Sequence, residues 1–375
     1  MPKKNLLFFI QSLASGGAER VTANMANYWA KNGWSVTVVT MTGTDLDFYE
    51  LHPTIKRIPL NLAGSSSNQI LGLLNNIKRI FALRALLKEV KPEVAIAMMS
   101  TASVVMAFAS WGVPNIAAIG TERTHPPRLP LSPIWEKLRS FSYGKLKAVV
   151  ALTSESATWL ENNTNAPFIA IIPNAVIWPL TLHQPIIDPE TLIASDKKII
   201  LAVGRLDQHK GFATLIDIFA KIAPKHPDWL LVILGEGFKR GDFEQQVQSH
   251  GAQKQILLPG VMGNISQWYL RANIYILSSD YEGFPNTLVE AMAHGLAPIS
   301  FDCETGPRDI IRNNSDGILI PPGDKQALQE AVEKLIENHI LRQQYGKQAM
   351  DVRERFAVEK IAEKWESLFT KLTGF

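Results

Sequence analysis

Two glutamates separated by seven residues, Glu282 and Glu290, are the side chains of this chain with the clearest chemical use. They lie on either side of a junction between an apolar run, residues 274–277, and a predicted helix that begins at Pro285 and runs to His294. Because Glu282 precedes this helix and Glu290 is predicted to lie about two turns into it, the two carboxylates cannot hold the same atom. Such a pair can bind the hydroxyl groups of two parts of one ligand, such as the sugar and the ribose of a nucleotide sugar.

The turn between the two glutamates is predicted to bind an anion. Gly283 permits a tight turn, and the N–H groups of Thr287 and Leu288 are expected to lack helical acceptors at the positive end of the helix dipole. A helix terminus of this kind favours an anion by roughly 0.3–1 kcal/mol, and more where it is partly buried. The segment therefore predicts a phosphate contact, with Phe284 and Asn286 as further lining residues.

A second loop supplies positive charge. Arg205 and Lys210 both lie between Gly204 and Gly211, directly after the apolar run 199–203 and before a helical segment. Two cations on one loop can neutralise a diphosphate. A solvated charged loop is the alternative, and the acidic pair elsewhere in the chain favours the ligand-binding interpretation.

A third turn, at Gly16 and Gly17, follows the first apolar run and opens a helix. Without side chains these residues let the backbone approach a phosphate or a sugar. The segment lacks the Gly-x-Gly-x-x-Gly spacing, which disfavours a dinucleotide cofactor, and a purely structural turn is the alternative.

Two series of alternating apolar runs and helical segments position these turns. The first includes runs at 6–10, 35–41, 94–98, 115–119 and 148–152, and the second begins at 199–203 and continues to 317–320. Repeated strand–helix order predicts an α/β protein with two doubly wound Rossmann-like domains that face each other across a cleft. We place an N-terminal domain at 1–178, a proline-rich linker at 179–196, a C-terminal domain at 197–355, and a C-terminal helix that crosses back to the first domain at 356–375.

Composition narrows the class of protein. The 375 residues include one cysteine, Cys303, which excludes an internal disulfide and is typical of a reducing compartment, so we expect a cytoplasmic protein. Residues 1–180 carry 17 Lys and Arg against 10 Asp and Glu, whereas 181–375 carry 21 against 25. The acidic second half and the lack of an aromatic–basic stripe disfavour nucleic-acid binding.

One stretch, residues 94–121, contains no charged side chain and is long enough to span a bilayer. Early serine and threonine residues, and later a glycine, a proline and an asparagine, interrupt it. A strand, a helix and a second strand of a buried parallel sheet therefore fit better than a membrane helix.

Taken together, these motifs resemble the retaining glycosyltransferases of family 4, which have the GT-B fold. The resemblance covers nearly the whole chain, including the similar segments 172–175, 306–311 and 316–321. It implies that Arg205 and Lys210 bind the donor diphosphate, Glu290 the ribose hydroxyls and Glu282 the transferred sugar. It also implies a UDP-sugar donor whose base lies near Val261 and Met262, with no metal and no other cofactor required.

The same resemblance points to a reaction-centre segment in the first domain. Thr121-Glu122-Arg123 is similar to a Ser-Glu-His or Ser-Glu-Arg segment of some relatives, so Glu122 is a candidate catalytic residue. Arg123 stands where several relatives have histidine, and His125 is the alternative. Asp45 and Asp47 match a metal-binding Asp-x-Asp, but a solvated turn is the favoured interpretation because no other ligands cluster nearby.

The resemblance also implies an acceptor, namely a glycan that is linked to a polyprenyl diphosphate and grows into surface polysaccharide. The basic amphipathic segment 70–91 permits peripheral contact with the anionic inner face of the cell membrane, and packing against the sheet is the alternative. Two other functions remain open: a UDP-sugar epimerase or hydrolase of the same fold, and a non-catalytic protein that binds nucleotide sugars.

Overall fold

The computed structural model describes residues 4–64 and 69–374, and the side chains of 69–73 lie outside this description. The chain forms two compact units. One consists of Met1–Ala175 together with Val358–Phe375, and the other of Val176–Ala357. Each unit contains one parallel sheet with helices on its faces, as the alternating sequence pattern predicts.

The N-terminal unit has a seven-stranded sheet in the order β3-β2-β1-β4-β5-β6-β7. Its elements in chain order are β1 Asn5–Ile10, α1 Gly17–Lys31, β2 Ser35–Thr40, β3 Lys56–Pro59, α2 Gln69–Val90, β4 Val94–Met98, α3 Ser100–Ser110, β5 Ala117–Thr121, α4 Pro133–Tyr143, β6 Ala148–Ala151, α5 Ser154–Asn163 and β7 Ile169–Ile171.

The uncharged stretch 94–121 forms β4, α3 and β5, as predicted. Every residue of the two strands is buried, because central strands of a parallel sheet are covered on both faces. Helix α3 is mostly buried as well, since it packs between α2 and α4. Among the residues that the structure describes, no helix is both long enough and apolar enough to cross a membrane.

The two edge strands β3 and β7 were not predicted from the sequence. Strand β3 reads Lys56-Arg57-Ile58-Pro59 and β7 has three residues, so neither shows the apolar run by which the central strands were recognised. Short, charged or proline-containing strands are typical of sheet edges. Such edges form because a neighbouring strand offers hydrogen-bonding groups.

The second unit has a six-stranded sheet in the order β10-β9-β8-β11-β12-β13. Its elements are α6 Pro189–Leu192, β8 Lys198–Val203, α7 Phe212–Ile222, β9 Trp229–Leu234, α8 Arg240–Ser249, β10 Ile256–Gly260, α9 Ile265–Arg271, β11 Ile274–Leu277, α10 Asn286–Ala293, β12 Ala297–Phe301, α11 Pro307–Ile310, β13 Ile318–Ile320, α12 Lys325–Glu337, α13 His339–Ala349 and α14 Val352–Arg355.

The last helix, α15 Val358–Thr373, returns to the N-terminal unit. Its apolar side buries Trp365, Leu368 and Phe369, and the ring of Phe369 packs 5.6 Å from that of Trp29 on α1. The segment is therefore the docking helix that its one-sided apolar pattern predicts.

Candidate active site

The two loops predicted to bind a donor nucleotide come together at the carboxyl ends of two central strands of the second sheet. Strands β8 and β11 are parallel neighbours, so the loops that follow them lie side by side. The Ser278 hydroxyl donates to the Lys210 carbonyl at 2.8 Å, and the Asp280 amide donates to the His209 carbonyl at 2.8 Å. At Gly211 φ is +66°, and a Cβ there would lie 1.9 Å from the Ser278 carbonyl oxygen, so this contact requires glycine.

Two predicted site residues form an ion pair across these loops. Lys210 Nζ lies 2.7 Å from Glu282 Oε1, and the side chains are only 18% and 11% exposed. The Ser279 hydroxyl donates to the same carboxylate oxygen at 2.7 Å, and Thr305 donates to the Glu282 carbonyl. Glu282 thus holds a cation that an incoming diphosphate would also attract.

Arg205 is the accessible cation of the site. Its side chain is 67% exposed, and its guanidinium lies 3.2 Å from Asp207 Oδ2. The adjacent His209 ring stacks on Tyr281 with centroids 4.9 Å apart, and burial together with nearby Lys210 lowers the pKa of His209. His209 is therefore neutral near pH 7, and the loop's positive charge comes from Arg205 and Lys210.

Helix α10 differs in two details from the prediction. The Leu288 amide donates to the Pro285 carbonyl at 3.0 Å, so it is not an unsatisfied donor as the sequence analysis expected. A tight first turn supplies this acceptor. Glu290 is the fifth residue of the helix, a little more than one turn from its start rather than two, and therefore closer to the loops.

The other residues predicted to line the nucleotide-sugar site fall into a buried group and a more accessible group. Phe284 and Leu288 are buried in the second unit, whereas Gly283, Asn286 and Thr287 are half-buried. Val261, just beyond β10, is 49% exposed. A base that lies against Val261 would thus contact a side chain already open to solvent.

The segment predicted as a linker packs beside the loop that follows β10. The His183 amide donates to the Gly263 carbonyl at 3.0 Å, and the Gly263 amide donates to the Pro185 carbonyl at 2.7 Å. A Cβ at Gly263 would lie 1.9 Å from the His183 carbonyl oxygen. Residues near 183–187 therefore belong to the packed surface of the second unit.

Two tyrosines that the sequence analysis missed lie beneath α10. Tyr269 and Tyr275 are fully buried, and their hydroxyls reach Glu290 Oε2 at 3.2 Å and Thr287 Oγ1 at 2.8 Å respectively. His294 follows α10, its Nδ1 is 2.7 Å from the Glu290 carbonyl oxygen, and burial lowers its pKa to about 4. A buried tyrosine needs a hydrogen-bond partner, which was the available sequence signal for this pair.

In the N-terminal unit, Glu122 follows β5 but does not face solvent. It is 1% exposed, the Ser100 hydroxyl donates to its Oε2 at 2.6 Å, and the Tyr143 hydroxyl donates to its Oε1. Arg139 Nη1 lies 3.7 Å from Oε1. Burial raises the pKa of Glu122 despite these partners. Both carboxylate oxygens of Glu122 are thus bonded in the interior, and its catalytic role stays a prediction.

Of the two residues proposed to act near the reaction centre beside Glu122, Arg123 is more accessible than His125. His125 is 3% exposed and its Nδ1 lies 3.1 Å from Ser156 Oγ. Arg123 is half-buried, and its guanidinium donates to Asn174 Oδ1 at 2.7 Å. Burial lowers the pKa of Arg123 to about 9, so the side chain stays charged near neutral pH.

The glycine turn of the N-terminal unit precedes α1 as predicted. Gly16 is extended at the helix cap, with φ −155°, and Gly17 is the first helical residue. A Cβ at Gly16 would lie 2.2 Å from Glu19 Oε2, so a flexible carboxylate occupies that space. Both glycines belong to the N-terminal unit, whereas the second unit contains Arg205, Lys210, Glu282 and Glu290.

The Asp-x-Asp segment is engaged in an ion pair. Arg57 donates to both oxygens of Asp47, at 2.8 and 2.9 Å. Within residues 4–64 and 69–374, no three His, Cys, Asp or Glu side chains form a group that could hold a metal ion.

Two family models match this chain, one over each of its two units. A model described as glycosyltransferase family 4 matches residues 15–177, and a model described as glycosyl transferases group 1 matches residues 183–352. The second match contains both loops, the ion pair and α10.

Similar proteins include enzymes of bacterial glycan synthesis. An exopolysaccharide phosphotransferase of Streptomyces coelicolor is 35% identical over 61% of this chain, but the match spans only 24% of that protein. A Campylobacter jejuni alpha-1,4-N-acetyl-D-galactosaminyltransferase, named for an acceptor that ends in PP-undecaprenol, is 26% identical over 97% of this chain and 98% of its own length.

Among solved structures, Anabaena HepE in complex with UDP is similar with a TM-score of 0.78 and 18% identity, covering 98% of this chain and 100% of that one. This likeness establishes the fold. Since the two family models together extend from residue 15 to residue 352 and each unit has the expected parallel sheet, the chain belongs to the family 4 glycosyltransferases with the GT-B fold.

Proposed function

We propose that this glycosyltransferase moves a hexose or N-acetylhexosamine from a UDP-sugar to a lipid-linked glycan, with retention of anomeric configuration and without a metal ion. The observation that carries the proposal is the cluster at the carboxyl ends of β8 and β11, where Lys210, Glu282 and the exposed Arg205 adjoin the start of α10. Two cations and a helix N-terminus can stabilise a departing diphosphate.

The choice of UDP is supported by the similar Anabaena structure, which was solved with UDP. The lipid-linked acceptor is supported by the Campylobacter relative, whose named acceptor carries undecaprenol. In the reaction we propose, the acceptor oxygen bonds to the anomeric carbon on the face from which UDP leaves. The bond from that carbon to the phosphate oxygen breaks, and the leaving phosphate takes the acceptor proton.

The donor site is tested by calorimetric titration of UDP, GDP and ADP in the presence of EDTA. We expect the wild type to bind UDP selectively, and Arg205→Ala to lower UDP affinity about tenfold through loss of one charge-assisted contact. Lys198→Ala is the matched control, because Lys198 lies at the other end of β8 and pairs with Asp228. Binding that requires a divalent metal would contradict metal independence.

The same titrations separate the alternatives left by the sequence. Absence of nucleotide binding by the folded wild type would refute the donor assignment. Selective UDP binding followed by hydrolysis or epimerisation of UDP-sugars, with no transferred glycan on polyprenyl-diphosphate acceptors, would favour an epimerase or hydrolase of this fold. Binding without any turnover would favour a non-catalytic protein.

We also propose contact between helix α2 and an anionic membrane. Leu74, Ile77 and Phe81 are 49%, 40% and 66% exposed, although Leu83 and Leu87 of the same helix are buried against the unit. The helix also carries four lysines and arginines against one acidic residue, and Lys91 follows it directly. Apolar side chains among cations are typical of helices that lie in a lipid interface.

This contact is tested by sedimentation with vesicles of phosphatidylcholine, with and without phosphatidylglycerol. We expect binding to the anionic vesicles, reduced about tenfold by Phe81→Asp, which removes apolar area and adds repulsion. Ile340→Asp is the control, because Ile340 is 68% exposed in the other unit. Equal binding of both variants and the wild type would refute the contact.

A further inference from the structure

Tyr269 on α9 is a buried side chain that directly contacts the predicted ribose-binding carboxylate. Its hydroxyl lies 3.2 Å from Glu290 Oε2 and 3.3 Å from the Thr287 carbonyl oxygen. A tyrosine hydroxyl has one proton to donate. The carboxylate is the stronger acceptor because it is charged, so the proton is directed at Glu290.

The Tyr269 ring is held in place by its surroundings. It is fully buried, packs 5.0 Å from the His294 ring and meets Tyr275 edge to face at 6.2 Å. His294 in turn lies 2.7 Å from the backbone oxygen of Glu290. Tyr269 is therefore fixed relative to the same helical turn that carries the carboxylate.

Glu290 needs such a support to present its carboxylate in one orientation. Its side chain has several rotatable bonds and is 5% exposed, so little of it can contact a ligand. A hydroxyl that donates to Oε2 restricts the rotamers that this carboxylate can adopt. Ligand-binding groups depend on supporting contacts of this kind for their geometry.

We propose that Tyr269 is a positioning residue that orients Glu290 toward the ribose hydroxyls of the donor nucleotide. This inference rests on the proposed function, because it concerns the same nucleotide site. Tyr269 acts through Glu290 and does not itself touch the nucleotide.

The test measures calorimetric affinity for UDP and for 2′,3′-dideoxy-UDP, which lacks both ribose hydroxyls, in Tyr269→Phe, Glu290→Gln and the double variant. We expect Tyr269→Phe to weaken UDP binding about fivefold to tenfold and to leave dideoxy-UDP binding unchanged. The double variant should bind UDP no more weakly than Glu290→Gln alone, since both changes remove one interaction.

Tyr275→Phe is the matched control, because it removes an equally buried hydroxyl that donates to Thr287 Oγ1 at 2.8 Å rather than to Glu290. It should leave the ratio of UDP to dideoxy-UDP affinity unchanged. Thermal unfolding of all variants near the wild-type temperature shows that the comparison concerns folded proteins.

Different failures have different meanings. Equal weakening of UDP and dideoxy-UDP by Tyr269→Phe, or additive effects with Glu290→Gln, would overturn the positioning role and leave UDP binding intact. If Tyr269→Phe left the ratio of UDP to dideoxy-UDP affinity unchanged, the positioning role would also be overturned. Failure of the wild type to bind UDP at all would refute the proposed function itself, and the inference with it.

Discussion

Replacing Lys210 by methionine is expected to lower the affinity for UDP about a hundredfold. The kcat/KM for the UDP-sugar, measured as UDP released, should fall by the same factor. Methionine keeps the length of the side chain and removes its charge. Lys210 Nζ now lies 2.7 Å from Glu282 Oε1 in a site where both side chains are mostly buried. Loss of one such donor to a developing anion costs roughly 10²–10³ in rate.

Uridine provides an internal reference for this variant. It has no phosphate, so we expect its weak binding, followed by NMR titration, to be the same in the wild type and in Lys210→Met. Lys198→Met is the matched variant, since Lys198 also pairs with a carboxylate, at 2.9 Å from Asp228, but at the amino end of β8. Wild-type UDP affinity in folded Lys210→Met would show that Lys210 is not a diphosphate ligand.

Replacing Arg139 by methionine is expected to destabilise the N-terminal unit by about 3–5 kcal/mol, the usual cost of leaving one member of a buried ion pair alone. Arg139 is 1% exposed, contacts both Glu122 and Glu136, and stacks 4.6 Å from the Trp159 ring. Without it Glu122 keeps only the Ser100 and Tyr143 hydroxyls. Urea unfolding followed by tryptophan fluorescence measures the change.

The pH dependence of this variant has a definite sign. Burial already raises the pKa of Glu122 in the folded protein, and loss of Arg139 raises it further. The folded state then binds a proton more readily than the unfolded state, so stability is greatest at low pH and is lost as pH rises through the folded pKa. Arg139→Met should therefore lose less stability at pH 5.5 than at pH 7.5.

Two variants complete this experiment. Glu122→Gln combined with Arg139→Met should be more stable than Arg139→Met alone, because the uncompensated charge is gone. Lys56→Met is the control, since Lys56 pairs with Glu89 at the exposed surface of the same unit, where the side chains are 59% and 72% exposed, and it should cost about 1 kcal/mol or less. Equal destabilisation by Lys56→Met and Arg139→Met would contradict a special cost for the buried pair.

The fold class and the elements that carry the site could be predicted from the sequence. Strand β4 has the predicted bounds, residues 94–98, and the uncharged stretch that is long enough to span a bilayer forms β4, α3 and β5 instead. These elements are recognisable because the period of apolar residues reports how each segment is buried, and that information is local. The motifs also identified the turns after β8 and β11 before any contact between them was known.

Which side chains meet depends on how the elements pack, and the sequence did not predict it. The tertiary structure pairs Lys210 with Glu282, places Tyr269 against Glu290, and buries Glu122 with Arg139, although the members of each pair are distant in the sequence. The edge strands β3 and β7 could not be predicted from the sequence either, because pairing with neighbouring strands stabilises them and their own composition does not. Burial periodicity tells which face of a segment points inward. The atom that a side chain meets there depends on the packing of the whole unit.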